Sequence, residues 1–166
     1  PSLRLAEIKK HRLTNNVPRV SRLKPEVFGD GNRNIALLDF GAKKNIIRSL
    51  VNRGCTVTVW PWDTPADTVL DSEPDGIMLS NGPGDPRDCT DILGNVRELM
   101  ESGIPLFSIC LGHQLVALAA GFETERLPFG HRGANHPVKD LETGRIYLSS
   151  QNHGYCVVGE SVDTTL

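Results

Sequence analysis

The chain has 166 residues, of which 39% are hydrophobic and 23% are charged, and its formal net charge is −2 at pH 7. This length suffices for one domain with its own core, and the near-neutral charge excludes the basic surface typical of nucleic-acid or acidic-membrane binding. Apolar runs such as IPLFSICL are too short to span a bilayer, and the polar amino-terminal stretch is unlike a signal peptide. We therefore expect a cytoplasmic protein without membrane or nucleic-acid partners.

Residues 1–33 show no sustained periodicity and predict a linker or the tail of a preceding domain. From residue 34 to residue 121, strand and helix patterns alternate. The predicted strands are short apolar or β-branched runs, at 35–40, 55–60, 75–80 and 104–109. The predicted helices have apolar residues at helical spacing, at 42–54, 65–73, 89–102 and 112–121. The remainder predicts shorter strands separated by Gly, Pro and Asn, at 122–129, 144–151 and 154–159.

This alternation predicts an α/β fold with a mostly parallel sheet flanked by helices on both faces. Functional residues in such folds lie at the carboxyl ends of the strands. Three loops follow strands in this chain, with the sequences DFGAKKN, SNGPGDP and CLGHQ. We therefore expect any active site to be built from these loops.

The stretch SICLGHQL places Cys110 between a strand and a helix. A nucleophile on such a turn needs small neighbours, and Ser108 and Gly112 are small. The helix amino terminus favours a thiolate, and the backbone N–H of Leu111 would point to a developing oxyanion. The alternative is a buried core thiol, which is the usual role of a single cysteine.

The other cysteines are Cys55, Cys89 and Cys156. No two cysteines form a C-x-x-C motif, so the sequence predicts no zinc site. Without a secretion signal, disulfide bonds are not expected either. Cys55 and Cys156 are expected to be structural.

The second loop, NGPGDP, has two glycines that would let the backbone approach a ligand closely. It lacks Walker and G-x-G-x-x-G spacing, so a nucleotide phosphate site is not predicted. A plain tight turn is the alternative. Further on, SSQNHGY supplies amide and imidazole groups, although its histidine could equally be structural.

Together, NGPGDP and ICLGHQL resemble the class I (triad) glutamine amidotransferases. The segments LDFGAKKNIIRSLVNRG, FGHRGANHPVKD and SSQNHGY are similar to the small, glutamine-hydrolysing subunit of carbamoyl phosphate synthetase. The resemblance covers about residues 34–158 and implies a glutamine amidotransferase domain over 34–166. It also implies that Cys110 attacks the side-chain amide of glutamine, releases ammonia and leaves a thioester that water hydrolyses to glutamate.

The resemblance further implies a glutamine pocket made by seven residues: Gly82, Gly84, Leu111, Gln114, Asn152, Gly154 and Tyr155. Backbone N–H groups of the glycine-rich turn and of Leu111 would hold the oxyanion. The implied partner is a large synthetase subunit that uses ATP, Mg and bicarbonate to make carbamoyl phosphate for arginine and pyrimidine synthesis. The chain itself is expected to hold neither metal nor cofactor.

The sequence departs from the family in two ways. Ser108 stands where the class usually has Gly, and no His-Pro-Glu segment with the general base and its acid follows QNHGY. In NHPVK, His136 precedes that motif and no acid follows it at the right place. We therefore expect a fragment that is incomplete at its carboxyl end, and weak or no activity from these residues alone.

Three alternatives stay open at this point. The chain could be the glutaminase of GMP or anthranilate synthesis, a non-catalytic interaction module, or a cysteine hydrolase of esters or peptides.

Cys89 would lie near the pocket in the family pattern, although a packing role is the simpler interpretation.

Overall fold

The computed structural model describes residues 14–159, which form two sheets and the helices around them. Seven strands lie in this range: β1 Glu26–Phe28, β2 Arg33–Asp39, β3 Cys55–Pro61, β4 Gly76–Leu79, β5 Leu106–Ser108, β6 Thr124–Lys139 and β7 Ile146–Val157. Five α-helices are α1 Val17–Val20, α2 Lys44–Val51, α3 Ala66–Leu70, α4 Leu93–Glu101 and α5 Leu111–Ala119. No helix of residues 14–159 is both long and apolar enough to cross a membrane.

The first sheet has the strand order β1-β3-β2-β4-β5, and only β1 runs antiparallel to its neighbour. Successive residues of β2 point to opposite faces, and both faces are buried, as is usual for a parallel sheet. Leu37 faces α2 and packs with Ile47, whereas Leu38 faces α3, α4 and α5 and packs with Leu99 and Leu115. The predicted fold class, a mostly parallel sheet with helices on both faces, is confirmed.

Part of the segment that we predicted as a linker or tail packs on this sheet. Val17 is 1% exposed within the core, and β1 pairs with β3 through Val27 and Thr58. A three-residue edge strand is too short to show a period in the sequence. Residues 1–13 lie outside the described range, and the domain boundary at residue 33 stays a prediction.

The carboxyl-terminal part forms a separate two-stranded antiparallel sheet of β6 and β7. The prediction of several shorter strands is wrong here. Gly130 (φ 67°) and Gly133 (φ 153°) adopt backbone conformations that favour glycine, and the pairing register shifts close to both. The glycines therefore make bulges within one long strand and do not end it.

The predicted helix at 89–102 begins differently. A 3₁₀ helix, Pro86–Ile92, comes first, and α4 starts only at Leu93. Cys89 interrupts the helical path with φ −117° and ψ 29°. The side chain of Asp85 caps the 3₁₀ helix by accepting the Arg87 N–H at 3.0 Å.

Candidate active site

Cys110 occupies the sharp turn between β5 and α5, as its sequence context predicted. Its backbone angles are φ 53° and ψ −106°, a region that residues other than glycine rarely adopt. Two hydrogen bonds hold the turn against the end of β4: Ile109 N–H donates to Leu79 O at 3.0 Å, and Gly112 N–H donates to Ser80 O at 3.1 Å. The strained conformation is therefore fixed from both sides of the cysteine.

Gly112 allows this turn to approach β4. A Cβ atom at this position would lie 2.5 Å from the carbonyl oxygen of Leu79, which is shorter than any real contact. The next layer is apolar, because Leu111 is 1% exposed as a whole residue and its side chain packs in the core. Only the backbone of Leu111 could therefore serve a ligand, which is the role that the resemblance implies.

The glycine-rich turn after β4 is packed as tightly. A Cβ atom on Gly82 would lie 2.3 Å from Phe40 O and 2.7 Å from Leu111 Cδ2. Gly84 has φ +103°, a conformation that L side chains rarely adopt. Gly82 is thus required because its neighbours approach too closely for a side chain, and Gly84 is required because of its backbone conformation.

Asn81 joins two of the three loops, and sequence reasoning did not identify it. Its side-chain oxygen accepts the Lys43 N–H at 3.1 Å, and its side-chain nitrogen donates to Gly41 O at 3.2 Å. One residue earlier, Ser80 Oγ accepts the Phe40 N–H at 2.9 Å. These contacts span about 40 residues of sequence, and no local pattern signals them.

The hairpin of β6 and β7 is tied to the nucleophile helix through the carbonyl oxygen of Tyr155. Gln114, only 5% exposed, donates to this oxygen from Nε2 at 2.7 Å. The Nδ1 atom of His153 lies 2.7 Å from the same oxygen. The predicted residues Gln114 and Tyr155 are therefore in direct contact although they lie 41 positions apart.

The Tyr155 hydroxyl meets Asp85 of the glycine-rich turn. Burial, followed by the charge and hydrogen bond of Asp85, raises the pKa of Tyr155. Burial also acts to raise the pKa of Asp85, but hydrogen bonds from Arg87 and from Tyr155 lower it below its ordinary value. Since Arg87 Nη2 lies 2.9 Å from Asp85 Oδ2, the carboxylate stays ionised and connects the turn to β7.

These loops and the hairpin surround an open cleft of about 1210 Å³. Seven of the eight predicted site residues line it: Gly82, Gly84, Cys110, Gln114, Asn152, Gly154 and Tyr155. The eighth, Leu111, lies beneath the cleft in the core. A smaller hollow of about 520 Å³ lies at the opposite ends of the strands, next to Arg33 and Phe107, away from Cys110. The structure thus brings the predicted residues together, while their individual roles stay predictions.

The thiol of Cys110 has no hydrogen-bond partner among residues 14–159. Two histidines, His113 and His153, line the same cleft. The Nε2 atom of His153 is already engaged, at 2.9 Å from Gln151 Oε1 and 3.1 Å from His131 Nδ1. The described residues therefore hold no histidine in place as a general base for Cys110.

Cys89 is expected to resist alkylation under conditions in which Cys110 reacts. Burial, assisted by the nearby charges of Asp88, Asp85 and Asp91, raises the pKa of Cys89 to about 11. Its thiolate is therefore almost absent at pH 8, and it should form only as the pH approaches 11. We expect iodoacetamide at pH 8 to label Cys110, which lines the cleft, and to spare Cys89 in the folded chain; peptide mapping by mass spectrometry checks this.

The raised pKa of Cys89 also makes the free energy of unfolding depend on pH. The contribution of Cys89 to folding is complete below pH 9, the ordinary value for this thiol, and is lost as the pH rises towards 11. A Cys89→Ala variant should lack this alkaline loss. Labelling of Cys89 as fast as that of Cys110 at pH 8 would contradict the burial argument.

The sequence is similar to proteins of one known family. The sequence pattern described as glutamine amidotransferase class-I matches residues 36–166. A carbamoyl phosphate synthase small chain from Oceanobacillus iheyensis is 50% identical over 165 residues, which are 99% of this chain and 44% of that protein. One from Rubrivivax gelatinosus is 50% identical over 139 residues, which are 84% of this chain and 36% of that protein. The chain thus spans less than half the length of these relatives.

Solved structures show the same fold. A putative GMP synthase protein from Thermoplasma acidophilum has a TM-score of 0.62 at 22% identity, over 76% of this chain and 67% of that one. A glutamine amido transferase from Methylobacillus flagellatus has a TM-score of 0.57 at 18% identity, over 78% of this chain and 58% of that one. At such identities the likeness concerns the fold alone. Because the family pattern extends over most of the sequence, and the cysteine turn it contains is present in the structure, the chain belongs to the class-I glutamine amidotransferase family.

Proposed function

We propose that this chain carries the nucleophile and the glutamine pocket of a glutaminase that supplies ammonia for carbamoyl phosphate synthesis. The observation that carries the proposal is the cleft itself, in which a strained cysteine, a glycine-rich turn and the QNHGY segment of β7 meet. The two relatives named above, each a carbamoyl phosphate synthase small chain at 50% identity, support this assignment over another class I glutaminase.

In the proposed reaction, the thiolate of Cys110 attacks the side-chain amide carbon of glutamine. The carbonyl electrons move to oxygen, and the backbone N–H groups of Leu111 and of the glycine-rich turn stabilise the resulting oxyanion. Collapse of this intermediate breaks the C–N bond and, with a proton, releases ammonia. Water then attacks the thioester, which gives glutamate and restores the thiol.

The position of Cys110 supplies part of this activation. The cysteine stands at the amino end of α5, a nine-residue helix, beside backbone N–H groups that have no partner within the helix. The strained φ of 53° turns the side chain out of the helix and towards the cleft that it lines. A proton acceptor is still needed, because the described residues leave the thiol without a hydrogen-bond partner.

The partner of this activity would be a large synthetase subunit. ATP, Mg and bicarbonate would bind to that subunit, and ammonia from the cleft would enter the synthesis of carbamoyl phosphate for arginine and pyrimidine formation. The name of the relatives, "small chain", supports such a partner.

A non-catalytic module is the second candidate. The observation that favours it is the missing hydrogen-bond partner of Cys110 within residues 14–159. A module of this kind would keep the fold for docking, and binding of glutamine in the cleft would not be required.

Protection of Cys110 by glutamine tests the proposal and separates the two candidates. The purified chain is treated with iodoacetamide at pH 8, and the labelling rate of Cys110 is followed with and without L-glutamine. We expect millimolar L-glutamine to slow the labelling at least tenfold and D-glutamine to have little effect. Equal rates with and without L-glutamine would contradict the glutamine pocket and favour the non-catalytic module.

Glutamate release by the same chain is measured beside a Cys110→Ala control. We expect little or no release from either protein, because no histidine of the described residues is placed as the base. Release that depends on Cys110 would mean that His153 or His113, which line the cleft, serves as the base after all.

A further inference from the structure

The charged residues that line the cleft are all of one sign, and the nearby carboxylate of Asp85 is paired with Arg87. Two basic residues, Lys43 and Arg132, line the cleft, and no aspartate or glutamate is among the lining residues of the described chain. Such a wall is complementary to an anionic group of a ligand. If the proposed function holds, the ligand is glutamine, whose only anionic group is its α-carboxylate.

Arg132 stands beside the residues that the resemblance places in the pocket. It pairs with Asn152 across the hairpin, so that the two side chains share one face of this sheet. A Cβ atom on Gly154, the next residue of β7 on that face, would lie 3.4 Å from Arg132 Nη2. The guanidinium group therefore lies over the pocket end of β7.

Arg132 is an exposed residue whose guanidinium makes one hydrogen bond to the described part of the chain, and most of its donors remain unused. Arg132 Nη1 donates to Phe129 O at 2.7 Å, which fixes the group against the hairpin. Within residues 14–159, no carboxylate pairs with Arg132, and its Nε and Nη2 have no acceptor. An oriented guanidinium with two free donors matches the two oxygens of a carboxylate. Lys43, on the opposite loop, offers only a flexible point charge.

We propose that Arg132 binds the α-carboxylate of glutamine and makes the cleft selective for the free amino acid over derivatives with a neutral α-carboxyl group. This inference rests on the proposed function and adds a specificity residue to it.

A double comparison of ligand and protein tests the inference. Calorimetry measures the affinity of the wild-type chain and of an Arg132→Gln variant for L-glutamine and for L-glutamine α-methyl ester. We expect Arg132→Gln to weaken L-glutamine binding about tenfold and to leave ester binding unchanged, because a charge-assisted hydrogen-bond pair is lost only with the carboxylate. The matched control is Arg145→Gln, which removes a positive charge from the same hairpin outside the cleft and should change neither affinity.

Other outcomes would overturn the inference. Suppose that L-glutamine binds, and that Arg132→Gln lowers the affinities for L-glutamine and for the ester equally or changes neither affinity. Arg132 then does not bind the α-carboxylate, while the proposed function stands. If the wild-type chain binds neither ligand, the proposed function and the inference both fail. Circular dichroism shows whether Arg132→Gln folds; if it does not, Arg132→Lys keeps the charge but loses the paired donors, and it should weaken L-glutamine alone by several-fold.

Discussion

Replacing Gly112 with alanine should slow the alkylation of Cys110 at least tenfold and destabilise the fold. The new Cβ atom would lie 2.5 Å from the carbonyl oxygen of Leu79 and 2.8 Å from its carbonyl carbon, both of which are backbone atoms of β4. Since the strand cannot give way, α5 must move and take Cys110 with it. The shift would also weaken the Gly112 N–H to Ser80 O hydrogen bond that anchors the turn.

Two measurements check this prediction. Overpacking of this kind costs about 1–3 kcal/mol of the free energy of unfolding, which urea denaturation measures. The second measurement is the labelling rate of Cys110, which should fall because a displaced α5 carries the thiol out of the strained turn that presents it to the cleft.

Gly94→Ala is the matched control. Gly94 lies in α4, and a Cβ atom there meets no atom within 4 Å. Alanine is the better helix former, so this variant should be as stable as the wild type or more stable by up to about 1 kcal/mol, with unchanged labelling of Cys110. Normal reactivity in Gly112→Ala would show that the turn tolerates a side chain, and the argument from close approach would fail.

The parallel sheet could be predicted because its signals are local. Strands β2, β3 and β4 are short apolar runs ended by Gly, Pro or Asn, and α2 has apolar residues at helical spacing. Loops at the carboxyl ends of parallel strands form the site in such folds, and this rule alone predicts that the Cys110 turn and the glycine-rich turn lie together.

The features that escaped prediction depend on distant contacts. The edge strand β1 has only three residues and is defined by its pairing with β3. In β6, the glycines read as strand ends, because nothing local distinguishes a bulge from a turn. Asn81 binds atoms about 40 residues away, and the position of Arg132 follows from the hairpin register. Such placements arise from the fold, and a single sequence carries no local trace of them.

Asp39→Ala is expected to cause the largest loss of stability among the changes considered, about 3–5 kcal/mol, because several partly buried N–H donors lose their acceptor. Asp39 is 2% exposed at the end of β2. Its carboxylate accepts the Arg22 N–H at 3.0 Å and Arg22 Nη1 at 2.8 Å, together with the Gly41 N–H at 3.0 Å and the Ala42 N–H at 2.7 Å. Removing the carboxylate would leave the backbone N–H groups of Arg22, Gly41 and Ala42, and Arg22 Nη1, without this acceptor in a partly buried place.

The matched control is Asp75→Ala, which removes an exposed carboxylate that accepts one backbone N–H, from Asn34 at 2.7 Å. It should cost only about 1 kcal/mol. Urea denaturation of both variants compares the two sites.

Asp39→Ala should also alter the cleft. The carboxylate of Asp39 orients the backbone of Gly41, which lines the cleft opposite the hairpin. Protection of Cys110 by L-glutamine should therefore weaken in Asp39→Ala at temperatures where the variant is still folded. Arg22→Ala separates the two effects: Asp39 keeps the Gly41 and Ala42 N–H groups there, so stability should fall while protection persists. Equal protection in Asp39→Ala and the wild type would mean that the loop after β2 holds its conformation without the carboxylate, and that Asp39 serves only to fasten residues 14–33 to the sheet.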